Sequence, residues 1–221
     1  MEYAGERWVQ RLRDGRTPGR WPFLVGLAIV TIVGAVGLVL TVVDLDDIAH
    51  SDARRPWSGP LLALFLFALG PVAAVLSWLQ GRRDRRILER IRAHGTTPAF
   101  HVPVLRSGLG AVDDFPEPRP ELWTVDAAGL DAWSAERDEP VFHLSWQDVE
   151  TIELASQDVR GQRTDVGIWI VTKDVGRFTL RPRPTIGRPF GAGATKLHIV
   201  MRVLRSLQRE SAPQRPAGRD R

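Results

Sequence analysis

The stretches FLVGLAIVTIVGAVGLVLTVV, residues 23–43, and LLALFLFALGPVAAVLSWL, residues 61–79, contain no ionisable side chain. They are 21 and 19 residues long. An α-helix rises about 1.5 Å per residue, so about 20 apolar residues cross a hydrocarbon core roughly 30 Å thick. The pair therefore predicts a hairpin of two transmembrane helices near the N-terminus. Trp21, Trp57 and Trp78 stand at the ends of the runs, where an indole keeps its ring in the headgroup layer and its N–H wet. Arg20 and the cluster Arg82, Arg83, Arg85, Arg86 flank the hairpin. The loop between the runs carries Asp44, Asp46, Asp47 and Asp52 against Arg54 and Arg55. Positive charge collects on the cytoplasmic side, so the expected location is the inner (cytoplasmic) membrane with both termini cytoplasmic. The first run exceeds the apolar core of a cleaved signal peptide, about 7–15 residues, and reads as an uncleaved anchor.

Thr31, Thr41 and Ser77 are the hydroxyl residues of the two spans. Ion pathways place acids, histidines or arginines at membrane depth, so a two-helix transporter is a poor reading. Gly26, Gly34 and Gly37 in the first span, and Gly70, Ala73, Ala74 and Ser77 in the second, form small surfaces that suit close helix contact. They fit dimerisation or packing within the hairpin, and the second is preferred. Pro71 has no N–H and is expected to kink its helix.

Beyond the spans the chain is polar, and the mean hydropathy of the whole is -0.14. The 221 residues leave room for one soluble domain after the hairpin. With no cysteine, disulfides, thiolate metal sites and cysteine nucleophiles are excluded. The net charge of +4 is unevenly distributed: residues 95–180 carry seven basic and fifteen acidic groups, residues 181–221 ten and two. The acidic middle argues against nucleic acid, which requires a basic face.

Residues 80–94 continue the second helix as a basic neck with Ile87, Leu88 and Ile91 on one face, and Gly95 is a plausible stop. Arg82, Arg83, Arg85 and Arg86 are candidate contacts to anionic lipid headgroups, each contributing about 1 kcal/mol at the leaflet surface; the plainer reading is a topology determinant. Residues 96–121 read mostly as linker, with one possible strand at 99–105. From 122 onward short alternating segments predict strands at 122–126, 130–134, around Phe142, Leu144 and Trp146, around Ile152 and Leu154, at 166–172 and at 177–181. Residues 166–172 are apolar on both faces, as in a central strand. A Pro- and Gly-rich loop, 181–193, precedes an amphipathic helix at 194–210, whose stripe is Leu197, Val200, Met201, Leu204 and Leu207. Arg202, Arg205 and Arg209 fall on its other face. Arg181, Arg183, Arg188 and Lys196 lie near the start of that helix, and helix N-termini favour anions, so these four are further candidate headgroup contacts. Residues 211–221 read as a disordered tail.

Short antiparallel strands closed by one C-terminal helix, with Gly129-Leu130 after a tight turn and Trp146-Gln147-Asp148-Val149 opening the next strand, resemble the bacterial membrane-anchored pleckstrin-homology-like (PH-like) proteins. The expected fold is α+β: a transmembrane hairpin, 21–80, then a basic neck and linker, 81–121, then a small antiparallel β-barrel or sandwich capped by a C-terminal amphipathic helix, 122–210. The resemblance implies an interaction platform. Relatives that hold phosphoinositides use basic residues between the first two strands; here that stretch is Asp126-Ala127-Ala128-Gly129, so no such site carries over.

Catalytic motifs are not legible. The histidines His50, His94, His101, His143 and His198 show no metal-ligand spacing. His143, between Phe142 and Leu144, falls on a solvated strand face. Gly108-Leu109-Gly110 and residues 191–196 lack the phosphate-loop order. Asp113-Asp114, Glu150 and Glu153 read as solvated faces, and Ser134 and Ser145 have no triad partner in a recognisable order. No catalytic, cofactor or metal residue is assigned. The expected function is a non-catalytic module that binds an unknown protein partner, itself or anionic lipids; the alternative is an enzyme or an accessory subunit of a membrane enzyme or transport complex.

Overall fold

The computed structural model describes residues 6–19, 21–43, 58–106, 117–159, 161–174 and 176–211. Arg20, Trp57, His50, the acidic loop between the spans, Gly108-Leu109-Gly110, Asp113-Asp114 and the tail beyond Ser211 lie outside the described residues. The chain forms two compact units, Gly19–Leu79 and a second one made of Met1–Pro18 with Gln80–Arg221. The helices are α1 (Arg7–Arg13), α2 (Trp21–Val43), α3 (Ser58–Ala93) and α4 (Ala194–Ser211). The strands are β1 (Phe100–Pro103), β2 (Leu122–Val125), β3 (Gly129–Trp133), β4 (Phe142–Ser145), β5 (Val149–Val159), β6 (Gln162–Thr172) and β7 (Gly176–Leu180).

In the first unit, α2 and the start of α3 are long and apolar enough to cross a membrane, and their apolar side chains are largely exposed. They meet through small residues. A Cβ on Gly34 would lie 2.7 Å from the Phe67 Cα, and one on Gly37 would lie 2.9 Å from the Ala63 Cβ. At Gly70 a Cβ would strike the Thr31 side chain and come within 2.9 Å of the Leu27 carbonyl. Gly34, Gly37 and Gly70 thus serve packing within the hairpin, where lipid offers no hydrophobic drive and close contact must supply the attraction. Gly26 meets nothing within 4 Å. α3 continues through Pro71 to Ala93.

The second unit holds two antiparallel sheets, β1-β2-β3-β4 and β5-β6-β7. β6 is the central strand of its sheet, as its two-sided apolar pattern requires. Among the described residues the sheets are stitched by one bridge, Val104 to Pro182, flanked by Leu105 N–H to the Arg181 carbonyl (2.9 Å) and Arg183 N–H to the Pro103 carbonyl (2.7 Å). Of the two expected forms, barrel or sandwich, a closed barrel is not formed: β4 and β5 follow each other round the Trp146 corner but are not paired, and the strands make two antiparallel sheets. α4 packs on β5 and β6.

The core is wider than the stretch 122–210. Val9 and Leu12 of α1, Ile87, Leu88 and Ile91 of α3, and Phe100 and Val102 of β1 share one buried cluster with Trp123, Trp133, Ile152, Ile170, Val200 and Leu204. Each such side chain contributes about 1.5–3 kcal/mol on burial. The strand expected at 99–105, within the segment otherwise read as linker, thus forms as fully buried β1, and the neck supplies one wall of the domain. α3 ends as expected: Gly95 takes a left-handed φ of 70° and its N–H returns to the Arg92 carbonyl (3.0 Å). In α4, Ile199 and Val203 are buried beside the expected stripe. Arg205 departs from the solvated face: its Nε donates to the Ile152 carbonyl at 2.7 Å and ties α4 to β5.

Candidate functional site

The neck carries its charges on two sides. Arg82, Arg83, Arg85 and Arg86 are exposed, while Asp84 points inward with Ile87, Leu88 and Ile91. Positions 84, 87, 88 and 91 fall on one helical stripe, so the single acid in Arg82–Arg86 is the polar end of the buried face.

Asp84 and Arg183 are both fully buried and form a two-pronged pair: Nη1 donates to Oδ2 at 2.9 Å and Nη2 to Oδ1 at 2.8 Å. Arg183 spends its remaining donors on the carbonyls of Val104 (3.0 Å), Arg188 (3.0 Å) and Glu121 (3.1 Å). Asp84 also accepts from Gln80 Nε2 (2.9 Å) and from the Gly187 N–H. Buried Glu121 accepts from the same Gln80 amide (3.2 Å) and faces Arg106 at 3.5 Å. A buried charge is tolerated only when it is paired and its hydrogen-bonding groups are satisfied; the Asp84–Arg183 pair meets both conditions, while Glu121 Oε1 has the Arg106 charge near it but no hydrogen bond.

That cluster corrects one expectation. Arg183 is 1% exposed and is spent inside the protein, so it is not a headgroup contact. Of the other three residues of that group, Arg188 offers its carbonyl to Arg183. Arg181 and Arg188 are half-buried, and the Lys196 Nζ sits 5.6 Å from the Trp8 ring centroid, a cation–π arrangement that seats α4 against α1.

Arginines converge elsewhere. An opening of about 340 Å³ is lined by Arg16, Arg85 and Arg92, with Thr17, Leu88 and Glu89 among them. Arg85, Leu88, Glu89 and Arg92 form one face of α3 by helical spacing. Arg16 arrives from the loop after α1, which folds back because Gly15 takes a φ of 60° and Arg16 N–H bonds to the Arg11 carbonyl (2.8 Å). His101 of β1 holds that loop in place. Its Nδ1 donates to the Leu12 carbonyl (2.9 Å), and its ring lies so close to Gly15 that a Cβ there would come within 2.9 Å of it. Burial holds the His101 imidazole below its ordinary pKa of 6.5; the carbonyls of Leu12 and Arg13 oppose this, and the Arg92 charge adds to it. Of the four neck arginines, Arg85 lines this opening, whereas Arg82, Arg83 and Arg86 do not. Arg16 and Arg92 had no local sequence signal as partners.

A second opening, of about 520 Å³, lies near the β4–β5 corner and the end of α4, and His143, Ser145, Trp146, Lys173 and Gln208 are among its walls. His143 is exposed and its Nδ1 lies 2.6 Å from Asp131 Oδ1. The Ser145 hydroxyl accepts from the Gln147 N–H (3.3 Å). Among the described residues no group of three or more His, Cys, Asp or Glu side chains is placed to hold a metal ion. Comparison of the chain with protein-family models, curated proteins and solved structures returned no match.

Proposed function

We propose that this chain is a membrane-tethered, non-catalytic module of PH-like architecture, held at the cytoplasmic face of the inner membrane by two spans. It binds anionic lipid headgroups, and presents the rest of its domain to protein partners or to a second copy of itself. The observation that carries the headgroup reading is the convergence of Arg16, Arg85 and Arg92 on one opening. Arg85 follows Leu79, the last residue of the second apolar run, by six residues of one helix. The PH-like reading is supported by the succession of a four-stranded sheet, a three-stranded sheet and a packed C-terminal helix.

The test is native mass spectrometry of the full chain from detergent, titrated with phosphatidylglycerol or phosphatidylcholine. At about 1 kcal/mol per arginine, three of them favour the anionic lipid by about 3 kcal/mol, roughly a hundredfold. Arg16→Gln/Arg85→Gln/Arg92→Gln lowers that preference far more than Arg83→Gln/Arg86→Gln does, and equal losses in the two variants would refute a site at this opening. Equal retention of both lipids by the unaltered chain refutes the reading. The larger opening with the His143–Asp131 pair favours a second reading, an enzyme or accessory subunit; a reaction lost on His143→Gln would establish it.

A further inference from the structure

The hairpin of β5 and β6 outruns the core that carries it. β7 pairs with β6 over Ile168–Thr172, and the start of β5 is tied to α4, where Gln208 and Arg205 donate to the carbonyls of Val149 and Ile152. Past Ala155 the register shifts: Ala155 faces Gly167 and Ser156 faces Asp165, so Val166 is an extra residue on β6. Such a bulge bends and twists its strand. Beyond it the two strands run on as a ribbon, with Ser156, Gln157 and Asp158 opposite Asp165, Thr164 and Arg163. From Ser156 to Val166 no described side chain is buried.

A two-stranded ribbon without a packed face is at best marginally stable in water. Its outer edge also leaves backbone N–H and C=O groups without a strand partner, and such an edge is a template for another strand. Among the described residues no strand pairs with 162–165 on the side of β6 away from β5. The charges on this edge say which strand fits it. Arg163 and Asp165, two residues apart, share one face of β6. Asp165 accepts from the Ser156 hydroxyl at 2.7 Å. Arg163 stands opposite Asp158 yet forms no ion pair among the described residues. A second β6, antiparallel about a two-fold axis at Thr164, brings each Arg163 opposite its copy's Asp165. Moving the axis by one residue sets Arg163 against Arg163, or Asp165 against Asp165, and like charges directly opposite repel. In the four strands so formed, Arg163 lies between Asp158 of its own chain and Asp165 of the copy. The outer edge of β5 has no such match, since an axis at Gln157 would set Ser156 against Asp158.

We propose that residues 162–166 are a self-association edge, through which two copies of the chain join β6 to β6 in one continuous sheet. The occupant is a second copy, chosen because the edge is complementary in charge to itself in one register. A two-fold pairing of this kind is closed, because each β6 edge is used by the other. The inference rests on the reading of the domain as an interaction platform, and deepens it by naming the surface and its partner. It requires nothing of the spans or of the arginine-lined opening.

The absence of cysteine makes the test direct. Thr164→Cys and Gln157→Cys variants of the full chain, both at exposed positions, are oxidised with copper phenanthroline in non-ionic detergent. At the axis the two copies of residue 164 lie about 4.5–5.5 Å apart between Cα atoms, within disulfide reach. Residue 157 lies one strand further out on each side, about 14 Å from its copy and beyond that reach. The expected result is covalent dimer at 164 and little or none at 157. Asp165→Arg and Arg163→Asp are then each added to Thr164→Cys. Either alone sets like charges opposite and should lose most of the dimer. The two variants mixed, one enlarged by a tag, set opposite charges at both pairs and should recover the heterodimer, which also shows that both fold. Equal crosslinking at 164 and 157 overturns the proposal, and so does a mixture no better than its components. Light scattering of the unaltered chain then separates the two readings. A dimer that does not crosslink at 164 associates through another surface, so the edge falls and the platform stands. A monomer removes the second copy from both.

Discussion

Replacing Asp84 by alanine removes the carboxylate that joins the neck to the β7–α4 loop. The Arg183 guanidinium then stays fully buried with three carbonyl partners and no counter-charge, and the Gly187 N–H loses its acceptor. Removing one partner of a buried pair costs about 3–5 kcal/mol, because the other charge is left uncompensated. The lost backbone hydrogen bond is part of that change and is not added to it. Taking about 4 kcal/mol, and about 2–4 °C of melting temperature per kcal/mol for a unit of this size, the midpoint should fall by roughly 8–16 °C. Trp123 and Trp133 are fully buried in the same core, so near-ultraviolet circular dichroism of the full chain in detergent follows the transition. The paired replacement Asp84→Leu/Arg183→Met removes both charges and should recover most of the loss, since apolar substitutes for a buried pair are often neutral. A fall of less than about 3 °C for Asp84→Ala would refute the reasoning, and so would a paired variant as unstable as the single one.

Lowering the pH should loosen the packing of α1 on β1. His101 binds its proton less readily folded than unfolded, so the unfolded chain holds more protons below pH 6.5 and stability falls as pH drops through that value. His101→Gln should flatten this part of the stability–pH profile measured by thermal unfolding. Gly34→Leu should drive a side chain into the backbone at Phe67 and cost the hairpin about 1–3 kcal/mol by overpacking, read as reduced thermal stability in detergent. Arg205→Ala should cost about 1.5–3 kcal/mol by deleting its charged bond to the Ile152 carbonyl, whereas Arg209→Ala, on an exposed residue, should stay within about 0.5 kcal/mol. Denaturant titration separates the two.

The local elements were legible because each carries its own period. The two apolar runs read directly as long helices, β6 announced itself by an apolar stretch on both faces, and α4 by its stripe from Leu197 to Leu207. Pairings between distant segments were not legible. Asp84 shares the helical face of Ile87, Leu88 and Ile91, and a lone acid among four arginines was the one available hint. Its partner Arg183 is 99 residues away, so no local pattern separates it from a surface arginine. α1 has seven residues, too few to stand without tertiary contacts, and its place depends on His101 and the neck. The opening lined by Arg16 and Arg92 exists because that same histidine fixes the loop after α1. Whether the strands close a barrel depends on the seam between β4 and β5, which alternation cannot report.

The most direct test of a membrane-tethered cytoplasmic module is thiol labelling in right-side-out membrane vesicles. An impermeant maleimide is applied to single-cysteine variants at Ser51, between the two apolar runs, and at Gln157 on β5. The account predicts that position 51 labels in sealed vesicles, that position 157 labels only after detergent opens them, and that the chain resists alkaline extraction. Labelling of position 157 in sealed vesicles, or release of the chain by alkaline carbonate, would contradict it.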